Sequence, residues 1–223
     1  MKIAICTIST DGYWNKYSLL KESISKYFLK NHSVNSFVYT DKILHEDNIF
    51  HTTHLPSPLI TLMKFNFLLQ QENVFKNYDL LYYIDGDCRI VDEIDEEVFP
   101  NEQLPIVATK HPWQHYQSKS YDDNKLSSAF VENSGDNHYL QACFFGGYTQ
   151  DVLHMSNEIS NMIKQDLKNR YIAKWFDESY FNKFLLNKPV KLLSAAYAFP
   201  DPNYWKHSID LKPKIIHENS YST

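Results

Sequence analysis

Leu80-Leu81-Tyr82-Tyr83-Ile84-Asp85-Gly86-Asp87 is the stretch that decides the fold. Its first five residues are apolar or aromatic and predict a buried strand of ordinary sheet length. The strand ends in two carboxylates held apart by one glycine. Open α/β sheets bind their ligands at that end of a strand. Two hard oxygen donors at this spacing can grip a divalent cation, which is how proteins usually hold a diphosphate. The same residues also read as a solvated acidic turn closing a strand, since Asp-Gly is a common turn pair. The rest of the chain chooses between the two.

Working outward, residues 2–8 predict a first buried strand, followed by the polar loop Ser9-Thr10-Asp11-Gly12. Residues 15–30 have helical spacing of Leu19, Leu20, Ile24, Tyr27 and Phe28, and Ser36-Phe37-Val38-Tyr39 predicts a second strand. The polar segment 41–58 reads as loop. Its histidines, His45, His51 and His54, fit no usual metal-ligand spacing and read as surface. A helix over 59–75 precedes the Asp-Gly-Asp strand, and Ile106-Val107-Ala108 predicts another strand. Residues 113–137 form a long polar stretch of the kind that is functional or mobile in compact domains. The chain is apolar again from Tyr139 to Tyr148, where Gly146-Gly147 permits close backbone approach. Helices at 149–168 and 177–187, a strand at 190–193 and a surface tail after Pro200 complete the pattern. Strands alternating with helices predict an α/β domain whose central sheet is mostly parallel.

Composition narrows the function. A chain of 223 residues fits one domain, here residues 1–223, with enough apolar content (43%) for a sizeable core. Net charge is −5 and no basic stretch occurs, which argues against nucleic acid as a partner. Cys6, Cys88 and Cys143 are few, odd in number and scattered, so reduced thiols in a cytoplasmic, soluble protein are expected. No apolar run approaches the roughly 20 residues of a membrane span, and the first strand is too short for a signal peptide.

Two further constellations carry chemistry. Trp175-Phe176-Asp177-Glu178-Ser179 stands directly before a helical stretch. Its acids suit helix capping and the helix dipole. A tryptophan ahead of paired carboxylates also suits a sugar, the ring stacking on its apolar face while the acids take hydroxyls. Glycosyl transfer further needs a carboxylate beside an oxocarbenium-like centre. Tyr139-Leu140-Gln141-Ala142-Cys143-Phe144-Phe145-Gly146-Gly147 is a core strand with a glycine bulge or, with the others, part of one site.

In order, Phe37-Val38-Tyr39-Thr40-Asp41, Asp85-Gly86-Asp87, His111-Pro112, Phe144-Phe145-Gly146-Gly147, Trp175-Phe176-Asp177-Glu178-Ser179, Asn182-Lys183-Phe184-Leu185-Leu186 and Leu193-Ser194 resemble glycosyltransferase family six. These are the retaining α-1,3-galactosyl and N-acetylgalactosaminyl transferases that include the blood-group A and B enzymes. The resemblance implies a GT-A type nucleotide-sugar fold, with residues 1–90 mainly binding UDP and 105–200 mainly holding acceptor and donor sugar. Residues 201–223 would form a tail closing over the diphosphate. It implies a UDP-sugar donor, galactose before N-acetylgalactosamine or glucose, and an oligosaccharide acceptor of β-galactoside type. Ile8, Ser9 and Thr10 would line the uracil with Tyr13 beside it, and Lys64 would stand near the donor where the family has an arginine. Asp85 and Asp87, flanking Gly86, would hold Mn²⁺ or Mg²⁺.

By the same resemblance Gln141, Ala142 and Cys143 meet the donor sugar, with Gln141 and Cys143 choosing between donors, and Asp177 holds its hydroxyls. His111, Ser120 and Trp175 touch the acceptor, and Glu178 is the catalytic carboxylate, also bordering the acceptor. Phe176 replaces a histidine, Asp122-Asp123-Asn124 replaces a Glu-Arg-Arg pattern, and the basic tail shortens to Lys212, Lys214 and His217. Bacterial relatives commonly carry asparagines at the paired acids, so keeping both predicts metal dependence. The alternatives are a UDP-sugar hydrolase, a phosphatase-like hydrolase with Asp85 as nucleophile, and a sugar-binding module without turnover.

Overall fold

The computed structural model describes residues 1–112, 121–132, 134–203, 205 and 210–218. The elements run β1 (Lys2–Ile8), α1 (Trp14–Tyr27), β2 (Ser33–Thr40), β3 (Ile49–His51), α2 (Leu59–Leu62), α3 (Lys64–Gln70), α4 (Glu72–Phe75) and β4 (Leu80–Ile84). There follow β5 (Cys88–Ile90), β6 (Ile106–Lys110), β7 (Leu140–Tyr148), α5 (Thr149–Lys168), α6 (Phe176–Leu185), β8 (Val190–Leu193), β9 (Phe199–Pro200) and β10 (Ile215–His217). Seven strands make the central sheet in the order β3-β2-β1-β4-β7-β6-β8. It is mostly parallel, as expected; β7 alone runs against both its neighbours, β4 and β6.

Each face of the sheet is covered, which is why its central strands read as continuous apolar runs. Ala4, Cys6, Leu81, Tyr83 and Phe145 share one cluster with α3, α5 and α6 residues such as Phe65, Val152 and Phe181. Ile3, Ile5, Leu80, Tyr82 and Phe144 face the other way, onto Leu20 and Ile24 of α1 and the turn Ala195–Ala198. All five residues of β4 are buried. Each large apolar side chain so buried contributes roughly 1.5–3 kcal/mol, so the edge beyond Ile84 hangs on a rigid platform.

Three local expectations change. The helix read over 59–75 is broken: α3 and α4 meet at Gln71, whose φ of −111° and ψ of 24° leave the helical region. The segment read as pure loop over 41–58 contains β3, which extends the sheet edge by pairing Ile49 with Val38 and Phe50 with Tyr39. The tail does not simply lie over the surface. Its β10 pairs with β5 and β9 in a second, three-stranded sheet. The close approach expected at Gly146 is present: a Cβ there would come within 2.2 Å of the Tyr82 ring.

Candidate active site

Parallel pairing of β1 with β4 brings their carboxyl ends side by side. Ile8, Ser9 and Thr10 therefore lie next to the Asp85-Gly86-Asp87 turn. The fit is tight: a Cβ on Gly86 would meet the Ile8 carbonyl oxygen at 2.4 Å and Ser9 Oγ at 2.7 Å. Above this edge opens a cleft of about 490 Å³, whose walls include Ile8, Thr10, Tyr13, Lys64, Asp85, Gly86, Asp87 and His217. Eight of the residues expected to touch the donor thus share one cavity. Ser9 is buried beneath them, its N–H donating to the Tyr39 carbonyl at 2.8 Å. A larger depression of about 880 Å³, bordered by Lys76, Asp79 and Thr149, lies near the amino end of β4 and gathers none of these groups.

Lys64 ties the cleft together. It is 2% exposed, on the first turn of α3, with Nζ 3.1 Å from Asp85 Oδ1 and 2.7 Å from Asp177 Oδ2. The same ammonium donates to the Ala142 carbonyl at 2.9 Å and lies 4.7 Å from the Tyr83 ring centre. Burial alone would draw this lysine down; the carboxylates of Asp177 and Asp85 outweigh it and hold it above the ordinary lysine value. Tyr83 O–H donates to Asp85 Oδ1 at 2.9 Å. One buried cation thereby joins the Asp-Gly-Asp turn, β7 and α6.

Asp177 and Glu178 sit in the first turn of α6, yet neither caps it, and the N-cap Trp175 has no side-chain cap bond. Both acids turn inward instead. Asp177 meets Lys64, and Glu178 Oε2 accepts from the Ala142 N–H at 3.3 Å. His111 Nε2 stands 3.8 Å from Glu178 Oε1, and Tyr139 hydrogen-bonds the same carboxyl. Burial first, and then the neighbouring Asp177 charge, push Glu178 up to about 8. Burial, and then the His217 charge, pull His111 down to about 4. A neutral imidazole beside a carboxyl that readily holds a proton is a polar pair able to exchange hydrogen bonds with sugar hydroxyls. The inward turn decides against simple helix capping.

The second aspartate has its own cation. His217 Nε2 is 3.2 Å from Asp87 Oδ1, and its Nδ1 is 3.0 Å from Gln141 Nε2. Burial opposes charge on His217, but Asp87 prevails and raises it to about 10. Burial likewise opposes charge on Asp87, and His217 nevertheless holds that carboxyl below its usual value. The donors fit a hard divalent ion: Asp85 and Asp87 offer carboxylates from one turn into the cleft. Asp87, Cys88 and His217 present ligand atoms within 4.8 Å of one another.

Not every expected residue reaches the cavity. Cys143 is 1% exposed and packs in the apolar cluster with Cys88 and Phe144, beneath the site rather than on the cleft wall. Trp175 is 37% exposed, its N–H donating to Ser179 Oγ at 2.9 Å. Ser120 lies outside the described residues. Of the three tail cations only His217 borders the cleft, for Lys212 pairs with Asp92 at 2.9 Å and Lys214 with Glu97 at 3.2 Å. Two residues outside the expected set of contacts are present. His54, read as surface, borders the cleft and its Nδ1 meets Thr10 Oγ1 at 3.0 Å. Phe176 holds a positive φ of 52° and forms part of the wall. The only signal for His54 was its place in a polar loop beside a sheet edge.

An α/β domain with a seven-stranded, mostly parallel sheet and paired carboxylates at its carboxyl edge is of the GT-A type, a fold of glycosyltransferases. The chain belongs to glycosyltransferase family 6, which it matches over residues 60–218. It is 26% identical to the O-antigen biosynthesis glycosyltransferase WbnI of Escherichia coli, over 95% of this chain and 91% of that protein. It is 32% identical to the histo-blood group ABO system transferase 2 of Rattus norvegicus, over 53% of this chain and 36% of that one. Identity to the human globoside alpha-1,3-N-acetylgalactosaminyltransferase 1 is 24%, over 90% of this chain and 62% of that protein. The chain therefore spans nearly all of the bacterial relative and less than two thirds of these two animal ones. Among the described residues no helix is long and apolar enough to cross a membrane.

Proposed function

We propose that this protein is a retaining, divalent-metal-dependent hexosyltransferase. It moves galactose, or the close relatives N-acetylgalactosamine or glucose, from UDP to a hydroxyl of a β-galactoside glycan in α-1,3 linkage. The observation that carries the proposal is the Lys64 bridge, which joins Asp85 at the sheet edge to the buried Asp177, next to the half-buried Glu178. Diphosphate-holding and sugar-holding groups thereby meet across one lysine. The human relative is named as an alpha-1,3-N-acetylgalactosaminyltransferase, which supports the linkage and the sugar class.

In this reading Ile8, Ser9 and Thr10 receive the uracil with Tyr13 beside it, and Asp85 and Asp87 would hold the cation. When bound, the cation supplies positive charge to the diphosphate as it leaves. Lys64 adds a fixed charge at the same edge and needs no reorganisation, being clamped by three oxygens. Asp177 and Gln141 take donor hydroxyls, while Cys143 acts at one remove by setting the shape of β7. His111 and Trp175, with Ser120, receive the acceptor. Glu178 faces the anomeric carbon, as nucleophile in a double displacement or as stabiliser of its positive charge in a front-face substitution. Its Ala142 N–H partner fixes its direction in both. The test is UDP release across a panel of UDP-sugars, with and without β-galactosides and with Mn²⁺ or EDTA. Acceptor-stimulated, Mn²⁺-dependent release supports the proposal. Release that no acceptor stimulates leaves a UDP-sugar hydrolase, and UDP binding without any turnover leaves a sugar-binding module.

A further inference from the structure

The small sheet brings His217 to the edge of the cleft. Antiparallel pairing sets His217 opposite Cys88, and the Glu218 N–H donates to the Asp87 carbonyl at 2.8 Å. The strand Ile215–His217 is thus stitched to the Asp-Gly-Asp turn by backbone, with the His217 ring beside Asp87. On the far side of that ring stands Gln141. Its Oε1 is buried and, among the described residues, without a hydrogen-bond partner, while its Nε2 faces His217 Nδ1 at 3.0 Å. Amide oxygen and nitrogen exchange places by a half-turn about the last torsion, and the hydrogen-bond network decides between them. Turned so, Oε1 accepts from Nδ1–H and the stranded oxygen is satisfied. Nε2 is then the nitrogen directed at Asp87.

A histidine whose Nδ1–H is held by an oxygen, with Nε2 aimed at a carboxylate in a cleft, has the orientation of a metal ligand. Asp87 Oδ and the His217 ring nitrogen already lie within the 4.8 Å span that one ion can bridge. Cys88, the third member of that group, is 3% exposed among Ile90, Ile215 and Phe144, and soft sulfur suits a hard ion poorly.

We infer that His217 is a third protein ligand of the cation site, beside Asp85 and Asp87, and that Gln141 is the residue positioning it. The inference rests on the metal-dependent reading of the site and goes beyond it in two ways. An imidazole ligand adds affinity for transition-series ions and little for Mg²⁺ or Ca²⁺, so the site prefers transition-series ions such as Mn²⁺ to Mg²⁺ and Ca²⁺. It also makes the terminal strand part of the metal centre, so that cation binding fastens Ile215–His217 down over the donor cleft.

The test uses the full chain with Mn²⁺ alone, no donor and no turnover. Electron spin-echo spectroscopy of bound Mn²⁺ should show coupling to a directly bound imidazole nitrogen. His217→Ala should lose that coupling and bind Mn²⁺ ~10–100-fold more weakly, with Mg²⁺ affinity changed no more than about 3-fold. Gln141→Leu should keep the coupling and weaken Mn²⁺ by about 10-fold, the effect of freeing the ring. The parent spectrum keeps the inference testable if the His217 variant fails to fold. Mn²⁺ bound by the parent without nitrogen coupling, or bound equally by a folded His217→Ala, overturns the third ligand and leaves the metal-dependent reading standing. A parent chain that binds no Mn²⁺ overturns both.

Discussion

Replacing Lys64 by Met tests the bridge at the heart of the site. Methionine matches the lysine stem in length and apolar character, so the change removes little except the charge. It leaves Asp177, 4% exposed, and Asp85 facing each other with their shared cation gone, and it removes the Lys64 hydrogen bond to the Ala142 carbonyl and the contact on the Tyr83 ring. Removing one partner of a buried ion pair costs about 3–5 kcal/mol. Tyr83 O–H still serves Asp85, which is partly solvated, so we expect about 4 kcal/mol at pH 8. For a chain of this size that is a fall in Tm of roughly 8–16 °C.

The sign of the pH dependence follows from Asp177. Burial, opposed by Lys64 and aided by Asp85, already raises that carboxyl, and without Lys64 the rise must grow. A raised carboxyl binds its proton more tightly folded than unfolded. Stability of the variant therefore increases as pH falls through the window above the ordinary Asp value, and its deficit shrinks towards about pH 5. Urea unfolding of metal-free parent and Lys64→Met at pH 8 and pH 5 measures both. A loss below about 1 kcal/mol at pH 8, or a deficit equal at the two pH values, refutes the view of Lys64 as the counter-charge of the buried Asp177 and the partly buried Asp85.

Glu178→Gln should lower kcat by ~10²-fold or more. Because the parent carboxyl is raised from 4.5 to about 8, parent stability declines as pH climbs between those values; urea midpoints for the variant should lack that decline. Gly86→Ala forces a Cβ to 2.4 Å from the Ile8 oxygen, so the ends of β1 and β4 must part; titration calorimetry should show UDP binding weakened at least ~10-fold. Asp166→Ala removes the buried acceptor of Ser127 Oγ, the Ser128 N–H and Tyr180 O–H, at a cost of at least about 2 kcal/mol; limited proteolysis should then cut within residues 121–131.

Legibility in the sequence followed the range of the forces involved. β1, β4 and β7 could be read because buried strands are continuous apolar runs, and α5 because its apolar spacing is strong over 20 residues. β3 and β10 could not, because three polar-edged residues become a strand only through partners elsewhere: β10 finds β5 across more than a hundred residues. The break at Gln71 carries no glycine or proline to announce it. At the site, the types of residue were legible and their pairings were not. Asp177 and Glu178 carried the pattern of a helix cap, and only the fold turned them inward onto Lys64 and Ala142. The family resemblance places Cys143 at the donor, and the packing around Cys88 and Phe144 keeps it below the cleft floor. His54 had no pattern at all; it enters the site because β1 ends beneath its loop.

The most direct measurement is proton NMR of UDP-galactose incubated with a β-galactoside, the full chain and Mn²⁺, with an EDTA-treated sample alongside. A retaining, metal-dependent transferase should give a growing α-anomeric disaccharide signal as UDP-galactose and the acceptor decline together, absent with EDTA and with Glu178→Gln. A β-anomeric product, an α-product formed equally with EDTA, or consumption of the donor to free galactose alone would contradict it.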